Sequence, residues 1–239
     1  DGVGLQEVSP AWVKAIREGL DPEQYALIGV TSETENENFS PILYRTDRYE
    51  LVDWDMYNYS VGNNARCRRV TWAVFEDRET GTRFALANTH WDGNTAQGLR
   101  QSAEIAAPIN GIAAQYQCPV FSTGDYNSNE NTDTYKQLME MTGMVNTKYV
   151  AEDQINNIGS WHELNQDTPS ALSCDHIFAT DNCRVLAFQT LMFYYQIHAS
   201  DHAWLYADIQ FEEGEPAPDD GLIVVEDDET DFGGFEGLN

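Results

Sequence analysis

Many short β-rich segments and few helical ones alternate along residues 2–211, and this pattern constrains the fold more than any other feature. Apolar side chains recur every three or four positions over residues 10–19 and 96–117, which predicts two helices. A shorter helix is expected over residues 132–141. Pro108 falls inside the second helix and is expected to kink or split it. The predicted strands are residues 25–30, 41–44, 49–55, 70–76, 83–89, 120–123, 172–179, 184–190 and 202–211.

Short strands with few helices between them are typical of two packed sheets that carry helices on their outer faces. Residues 172–179 and 184–190 are expected to pair as a hairpin that turns at residues 180–182. Repeated parallel βαβ units are not apparent. The 41% hydrophobic content of the 239 residues suffices for one large core. We therefore predict a single α+β domain over residues 1–211.

Residues 212–239 differ in composition from the rest of the chain. They hold 11 acidic residues and no Lys or Arg. Such a segment cannot bury enough apolar surface to fold alone, so it is expected to be an acidic tail or linker. Its apolar residues 222–225 leave open a docked strand or the start of a further domain.

The formal net charge of −27 limits the partners of the chain. A charge this negative repels polyanions, which argues against tight nonspecific binding of long duplex DNA but not against a small phosphoester held by a metal. No apolar run is long enough for a membrane span. A monomer is expected, and the acidity with only three Lys slightly favours an extracellular or cell-surface location. An acidic cytoplasm or a halophilic source fits nearly as well.

The four cysteines do not form a CxxC pair, so a structural zinc site is not expected. Cys174 and Cys183 flank the predicted hairpin, but their spacing does not force a disulfide.

Polar clusters stand at the ends of predicted strands, where a scaffold holds side chains most rigidly. Each cluster alone is weak evidence, because strand ends and turns often carry such residues. Their order along the chain is more specific. The clusters are Gln6 with Glu7, the Asn-Thr-His of residues 88–90, the Gly-Asp-Tyr-Asn of residues 124–127, Asp175 with His176, and the Ser-Asp-His of residues 200–202.

In order, the segments read GLQE, ILYR, RRVTWAVFEDRETGTRFALANTHWD, PVFSTGDYN, CDHIF and SDH. Over residues 2–211 this resembles the endonuclease/exonuclease/phosphatase family, and residues 68–92 look most like its bacterial metal-dependent hydrolases. The resemblance implies a deoxyribonuclease I-like four-layer α/β/β/α sandwich with two mixed β-sheets. It also implies Mg²⁺-dependent hydrolysis of a phosphoester, with Mn²⁺ as an alternative metal.

Phosphoester hydrolysis needs a cation on the phosphoryl oxygens, an oriented water and a proton donor. Hard cations prefer carboxylates, so Glu7 and Asp201 are suitable metal ligands. The resemblance assigns Asp125 to the attacking water, Asn127 to a phosphoryl oxygen or a metal-bound water, and His90 to a phosphoryl oxygen or the leaving group. It assigns His202 to the phosphate and to acid–base chemistry, with Asp175 orienting its imidazole.

Three further residues are candidates for substrate binding: Tyr44, Arg68 and Asn88. Arg68 suits a phosphate, but a surface salt bridge is an equal alternative, and Tyr44 also fits a core position. His162 either faces the cleft or is an ordinary loop residue, and His176 is expected at an ordinary strand position.

Two of the chain's departures from the family pattern concern the missing Asn and Cys174. The family usually has an Asn on a strand before the Glu7 strand; this sequence begins after that point, so we expect the strand to be cropped. Cys174 takes a position that is commonly aliphatic, and we expect it not to touch the chemistry.

The substrate stays open among nucleic acid, nucleotide, sugar or inositol phosphate and phospholipid headgroup. A catalytically inactive binding module with the same fold is the main alternative, and a structural or adhesive surface domain is a third.

Overall fold

A computed structural model describes residues 2–30, 38–62, 68–156, 158–162, 172–191 and 200–211. The helices are α1 (Pro10–Gly19), α2 (Ala96–Tyr116), α3 (Asp133–Thr142) and α4 (Thr147–Val150). The first six strands are β1 (Gly2–Gly4), β2 (Tyr25–Ile28), β3 (Ile42–Arg45), β4 (Tyr49–Asn58), β5 (Arg69–Asp77) and β6 (Arg83–His90). The others are β7 (Val120–Asp125), β8 (Val145–Asn146), β9 (Asp153–Ile155), β10 (Asp175–Ala179), β11 (Cys183–Leu191) and β12 (Trp204–Phe211).

A six-stranded sheet in the order β4-β5-β6-β7-β10-β8 forms the centre of the molecule. Its inner strands β5, β6 and β7 are buried on both faces, and their successive side chains point to opposite sides of the sheet. On β6, Ala85 and Ala87 pack towards Ile105 and Ile109 of α2, while Leu86 packs into a second cluster on the other face. The central sheet therefore lies between a helical layer and another layer of strands.

That other layer consists of two three-stranded sheets, β1-β3-β2 and β12-β11-β9. Both contribute to one apolar cluster with the central sheet: Ile42 comes from β3 and Phe211 from β12. Leu27 of β2 points the opposite way and packs with Val13 and Ile16 of α1. The order of layers is thus helices, central sheet, outer strands and α1, and the predicted α+β sandwich is confirmed.

The predicted hairpin of residues 172–179 and 184–190 is wrong. β10 pairs with β7 on one side and with β8 on the other, whereas β11 pairs with β12 and β9. Because both edges of β10 have partners, the turn after Ala179 carries the chain from one sheet to the other. Cys174 and Cys183 are both free thiols, so no disulfide joins them.

Helix α2 runs through Pro108 without a break. A proline at this position cannot donate to the carbonyl four residues earlier, which is that of Glu104. The hydroxyl of Tyr57 donates to this carbonyl at 3.2 Å and replaces the missing partner. The expected split is therefore absent, and α2 links β6 to β7 as one βαβ unit with parallel strands.

Among the described helices, none is both long and apolar enough to cross a bilayer. The predicted acidic tail, residues 212–239, lies outside the described residues, and the missing strand before β1 stays a prediction.

Candidate active site

Three of the predicted catalytic side chains form a row across adjacent strands. In the register of the central sheet, His90 of β6 stands opposite Asp125 of β7, and Asp125 stands opposite Asp175 of β10. Because strand side chains alternate, His90 shares its face with Leu86, and Asp125 shares its face with Phe121. The row therefore lies on the face towards the outer strands, where two parallel strands end and an antiparallel one begins.

Asp125 is held in place at the centre of the row. Its Oδ2 lies 3.3 Å from His90 Nε2, and its Oδ1 accepts the backbone N–H of Asn127 at 2.8 Å. Burial opposes ionisation of this carboxyl group, but His90, His202 and the amide of Asn127 outweigh burial and lower its pKa. Asp125 is therefore a carboxylate at neutral pH.

Asn127 adopts a left-handed backbone with φ of 47°, which is uncommon for residues other than glycine. This conformation turns its side-chain amide back to the row, where Nδ2 lies 3.1 Å from His90 Nε2 and donates to Trp91 O at 2.9 Å. Backbone strain of this kind is concentrated at functional sites.

His202 joins the row from the segment just before β12. Its Nδ1 lies 2.7 Å from Asp175 Oδ2. Burial lowers the pKa of this imidazole, but the hydrogen bond to Asp175, the contact with Cys174 and the charges of Asp175 and Asp125 outweigh burial and raise the pKa to about 11. His202 is therefore an imidazolium at neutral pH, with Asp175 fixing its orientation.

Glu7 lies at the mouth of the site, and its backbone is also left-handed, with φ of 54°. Its Oε1 is 3.9 Å from His90 Nε2, and 69% of its side chain is exposed. The carboxylate is thus close to the row while remaining open to water.

Asn88 fixes the segment that carries Glu7. This side chain is fully buried, donates to Leu5 O at 2.7 Å and Pro41 O at 3.0 Å, and accepts from Gln6 and Thr123. All four hydrogen bonds of the amide are thus used within the protein. Asn88 positions the Glu7 segment rather than presenting a free group to a substrate.

A group of three side chains in the site could hold a metal ion: Asp125, Cys174 and His202, whose ligand atoms lie within 4.8 Å of one another. Cys174 Sγ lies 3.5 Å from Asp175 Oδ2 and 3.8 Å from His202 Nδ1. Cys174 therefore contacts two predicted catalytic side chains, and the expectation that it takes no part in the chemistry stays a prediction. Sequence reasoning missed this contact because it treated Cys174 as a replacement for an aliphatic residue, although Cys174 directly precedes Asp175.

A cavity of about 270 Å³ adjoins this group. Its lining combines the indole of Trp161 with small polar groups and with His202 and Cys174. The full lining is Asn127, Ser128, Asn129, Trp161, Leu172, Ser173, Cys174 and His202. The cavity is thus continuous with the catalytic row and offers a flat apolar surface beside hydrogen-bonding groups.

The architecture matches solved structures of one family. A protein from Bacteroides vulgatus described as an endonuclease/exonuclease/phosphatase superposes with a TM-score of 0.77 and is 26% identical, over 89% of this chain and 85% of that one. The comparison supports the resemblance to the endonuclease/exonuclease/phosphatase family, and the chain has the fold of these proteins. No protein-family profile matches the sequence, and no curated protein sequence matches it either.

Two other solved structures have the same fold at lower identity. A mannosyl-6-phosphatase from Bacteroides thetaiotaomicron has a TM-score of 0.78 and 20% identity, over 88% of this chain and 85% of that one. The catalytic domain of human Nocturnin, solved with a bound sulfate anion, has a TM-score of 0.65 and 18% identity, over 89% of this chain and 81% of that one.

The other two side chains predicted to bind substrate also have partners within the protein. Tyr44 is buried in the core, where its ring lies 4.8 Å from that of Phe75, so it occupies the alternative core position. Arg68 pairs with Asp92, with Nε donating to Oδ1 at 2.9 Å, which realises the salt-bridge alternative. Its predicted contact with phosphate stays a prediction.

The second predicted metal ligand, Asp201, is exposed, and the metal-ligating group found among the described residues includes neither Asp201 nor Glu7. The carbonyl of Asp201 accepts the backbone N–H of His162 at 3.0 Å, which ties the segment before β12 to the loop at residue 162. His162 itself is buried, and its Nδ1 has no hydrogen-bond partner among the residues that the structure describes. The role of Asp201 stays a prediction.

His176 lies at an ordinary strand position, as expected. It is buried on the helix-facing side of the central sheet, where Nε2 lies 2.8 Å from Ser128 O, and burial lowers its pKa.

Proposed function

We propose that the chain hydrolyses phosphoesters by attack of an oriented water, with Mg²⁺ or Mn²⁺ bound. The observation that carries this proposal is the row of His90, Asp125 and Asp175, completed by the His202 imidazolium. Within one partly buried site, Asp125 supplies a carboxylate for the attacking water and His202 supplies a positive charge for the phosphate.

Asp125 would orient the attacking water and accept its proton, because its carboxylate is ionised and anchored by the Asn127 amide. His202 would neutralise charge on the phosphoryl oxygens and protonate the leaving oxygen, since its Nδ1 is held by Asp175. His90 and the side chain of Asn127 would contact the remaining phosphoryl oxygens. A bound divalent cation would supply further stabilisation of the negative charge that builds up in the transition state.

Glu7 is the side chain best suited to hold that cation. Its carboxylate is exposed enough to leave water ligands in place, which matches the preference of Mg²⁺ for one or two carboxylates and several waters. The left-handed backbone at Glu7 and the four hydrogen bonds of Asn88 hold this segment at the mouth of the site. Asp201 is the second proposed ligand.

A small phosphoester fits the surroundings better than long duplex DNA. Arg68 is engaged by Asp92, and Lys148 lies 3.6 Å from Glu130, so both cations are already paired. The cavity next to His202 would take the organic group of the substrate, with Trp161 as a flat surface for a sugar or a base. The structural relative that is a mannosyl-6-phosphatase supports a sugar phosphate among these candidates.

The test is a hydrolysis assay with p-nitrophenyl phosphate, bis(p-nitrophenyl) phosphate and a hexose 6-phosphate, each with Mg²⁺, Mn²⁺ or EDTA. We expect turnover with either metal and none with EDTA, and a loss of about 100-fold or more in His202→Ala. Asp208→Asn, an exposed change on β12, is the matched control and should keep full activity. Equal activity in wild type and His202→Ala would refute the proposed mechanism.

The inactive binding module makes a different prediction. It would bind phosphate or a phosphoester, raise the melting temperature of the chain on binding, and turn over none of the substrates. An extracellular or cell-surface location and a monomeric state are proposals that rest on composition alone.

A further inference from the structure

Cys174 gives the site a donor that hydrolysis does not need. Its sulfur stands beside His202 and Asp175, at 3.8 Å from Nδ1 and 3.5 Å from Oδ2. It also lines the cavity, so an ion in solution can reach it. None of the steps proposed for the phosphoester uses this thiol.

The ligand atoms of Asp125, Cys174 and His202 lie at nearly the distances from one another that a tetrahedrally coordinated cation requires. Zinc lies about 2.3 Å from sulfur and about 2.0–2.1 Å from nitrogen, which separates two such ligands by roughly 3.5 Å in a tetrahedron. The observed 3.8 Å between Sγ and Nδ1 needs little change. Asp125 completes the group within 4.8 Å, and small side-chain rotations would bring its oxygen closer.

The chemistry of the donors distinguishes this group from the position of Glu7. A thiolate and an imidazole select Zn²⁺ and similar soft or borderline cations, whereas carboxylate oxygens and water suit Mg²⁺. The site therefore holds two kinds of donors side by side: oxygen at its mouth and sulfur with nitrogen towards the cavity.

The backbone that carries the sulfur is also held in position. The backbone N–H groups of Cys174 and Asp175 both donate to Ser160 Oγ, at 3.2 and 3.1 Å, and the carbonyl of Cys174 accepts from Tyr126 N at 2.8 Å. Ligands fixed in this way lose little conformational freedom when a metal binds.

We propose that Asp125, Cys174 and His202 form a binding site for Zn²⁺ that inhibits the enzyme when it is occupied. The inhibition rests on the proposed function; the binding of Zn²⁺ does not. On binding, the thiol proton of Cys174 and the Nδ1 proton of His202 leave to solvent, and the thiolate sulfur and the neutral imidazole nitrogen coordinate the cation with no change of oxidation state. The open side of the group faces the cavity, where water can complete the coordination.

Inhibition follows from the residues that the cation takes. Asp125 could no longer accept a proton from the attacking water. His202 Nδ1 is also the nitrogen next to Asp175, so a cation bound through it would replace that hydrogen bond and the positive charge of the imidazolium. Asp125 and His202 cannot serve Zn²⁺ and hydrolysis at once.

The binding test uses Co²⁺ as a spectroscopic substitute for Zn²⁺ on the full chain. Thiolate coordination produces a sulfur-to-cobalt charge-transfer band in the near ultraviolet, which oxygen and nitrogen ligands do not produce. We expect this band in wild type, its displacement by Zn²⁺, and its loss in Cys174→Ser and in Cys174→Ala. Cys183→Ser is the matched control, because that thiol lies on β11 with its Sγ near Thr180 O, and this variant should keep the band.

The affinity for Zn²⁺, measured by calorimetry, should fall at least about 100-fold in both Cys174 variants, since even the loss of an outer-shell partner costs about 10–100-fold. Melting curves without metal identify any variant that fails to fold, and the second substitution then carries the test. A wild type without the band, or a Cys174 variant that keeps it, would overturn the proposed site.

The activity test compares inhibition by Zn²⁺ at saturating Mg²⁺, each variant being referred to its own rate without Zn²⁺. The inhibition constant should rise at least about tenfold in the Cys174 variants and stay at the wild-type value in Cys183→Ser. Unchanged inhibition in all variants would overturn inhibition through this site. A cobalt band in a chain that hydrolyses no phosphoester would support the metal site while rejecting the proposed function.

Discussion

Replacing Asp175 with Asn should change the protonation of His202 while keeping the shape of the side chain. Asp175 Oδ2 lies 2.7 Å from His202 Nδ1, and about three quarters of the His202 side chain is buried, its exposed fraction being 24%. Removing one partner of a buried pair costs about 3–5 kcal/mol, and one pKa unit corresponds to about 1.36 kcal/mol. The substitution should therefore lower the pKa of His202 by roughly 2–4 from its value of about 11.

The same pair makes stability depend on pH in one direction. The pKa of His202 is raised above its ordinary value of 6.5, so the folded state binds the proton more tightly than the unfolded chain. The stabilisation is complete below pH 6.5 and is lost as the pH rises towards about 11. Wild type should therefore melt at a higher temperature than Asp175→Asn near neutral pH, and the two curves should converge in strong alkali.

The assay is a titration of the histidine ring protons by NMR in EDTA, together with melting curves across the same pH range. A His202→Gln variant identifies the His202 signal, and Asp208→Asn controls for the loss of one exposed carboxylate. The reasoning would be refuted if the pKa of His202 in Asp175→Asn equalled or exceeded the wild-type value.

Two more substitutions test the placement of residues around the row. Asn88→Ala should lower the free energy of unfolding in urea by about 2–4 kcal/mol, because buried groups such as Leu5 O lose their hydrogen-bond partner. It should also reduce kcat, because the Glu7 segment is no longer held in place. A wild-type kcat in this variant would argue against a positioning role for Asn88. Tyr44→Phe should leave kcat and KM within about twofold of wild type, because the ring packs on Phe75 in the core. A large rise in KM alone would indicate that Tyr44 contacts the substrate.

Local signals in the sequence predicted the helices well. Thr95 precedes α2 and caps it, with its hydroxyl accepting from Gly98 N, and apolar periodicity identifies the buried face. Pro108 misled the prediction because the compensating hydroxyl of Tyr57 comes from a strand about fifty residues away. The turn at residues 180–182 misled it for a related reason. Turn chemistry is local, whereas the strand partners of β10 are decided by the sheet.

In the candidate site as well, local sequence signals predicted some features, and contacts between distant segments decided the others. The polar clusters and their order along the chain identified His90, Asp125 and Asp175. Only the register of three strands shows that they stand in one row, and spacing in the sequence does not encode register. The full burial of Asn88, the core position of Tyr44 and the approach of Cys174 to His202 all depend on packing between distant segments.

The catalytic role of Asp125 is the central claim, and the kcat of Asp125→Asn with saturating Mg²⁺ tests it most directly. The amide keeps the shape of the side chain but cannot accept the proton of the attacking water, so kcat should fall by about 100-fold or more while the protein stays folded. Asp208→Asn, measured alongside, should keep the wild-type kcat. A folded Asp125→Asn variant that turns over within about tenfold of wild type would contradict the account.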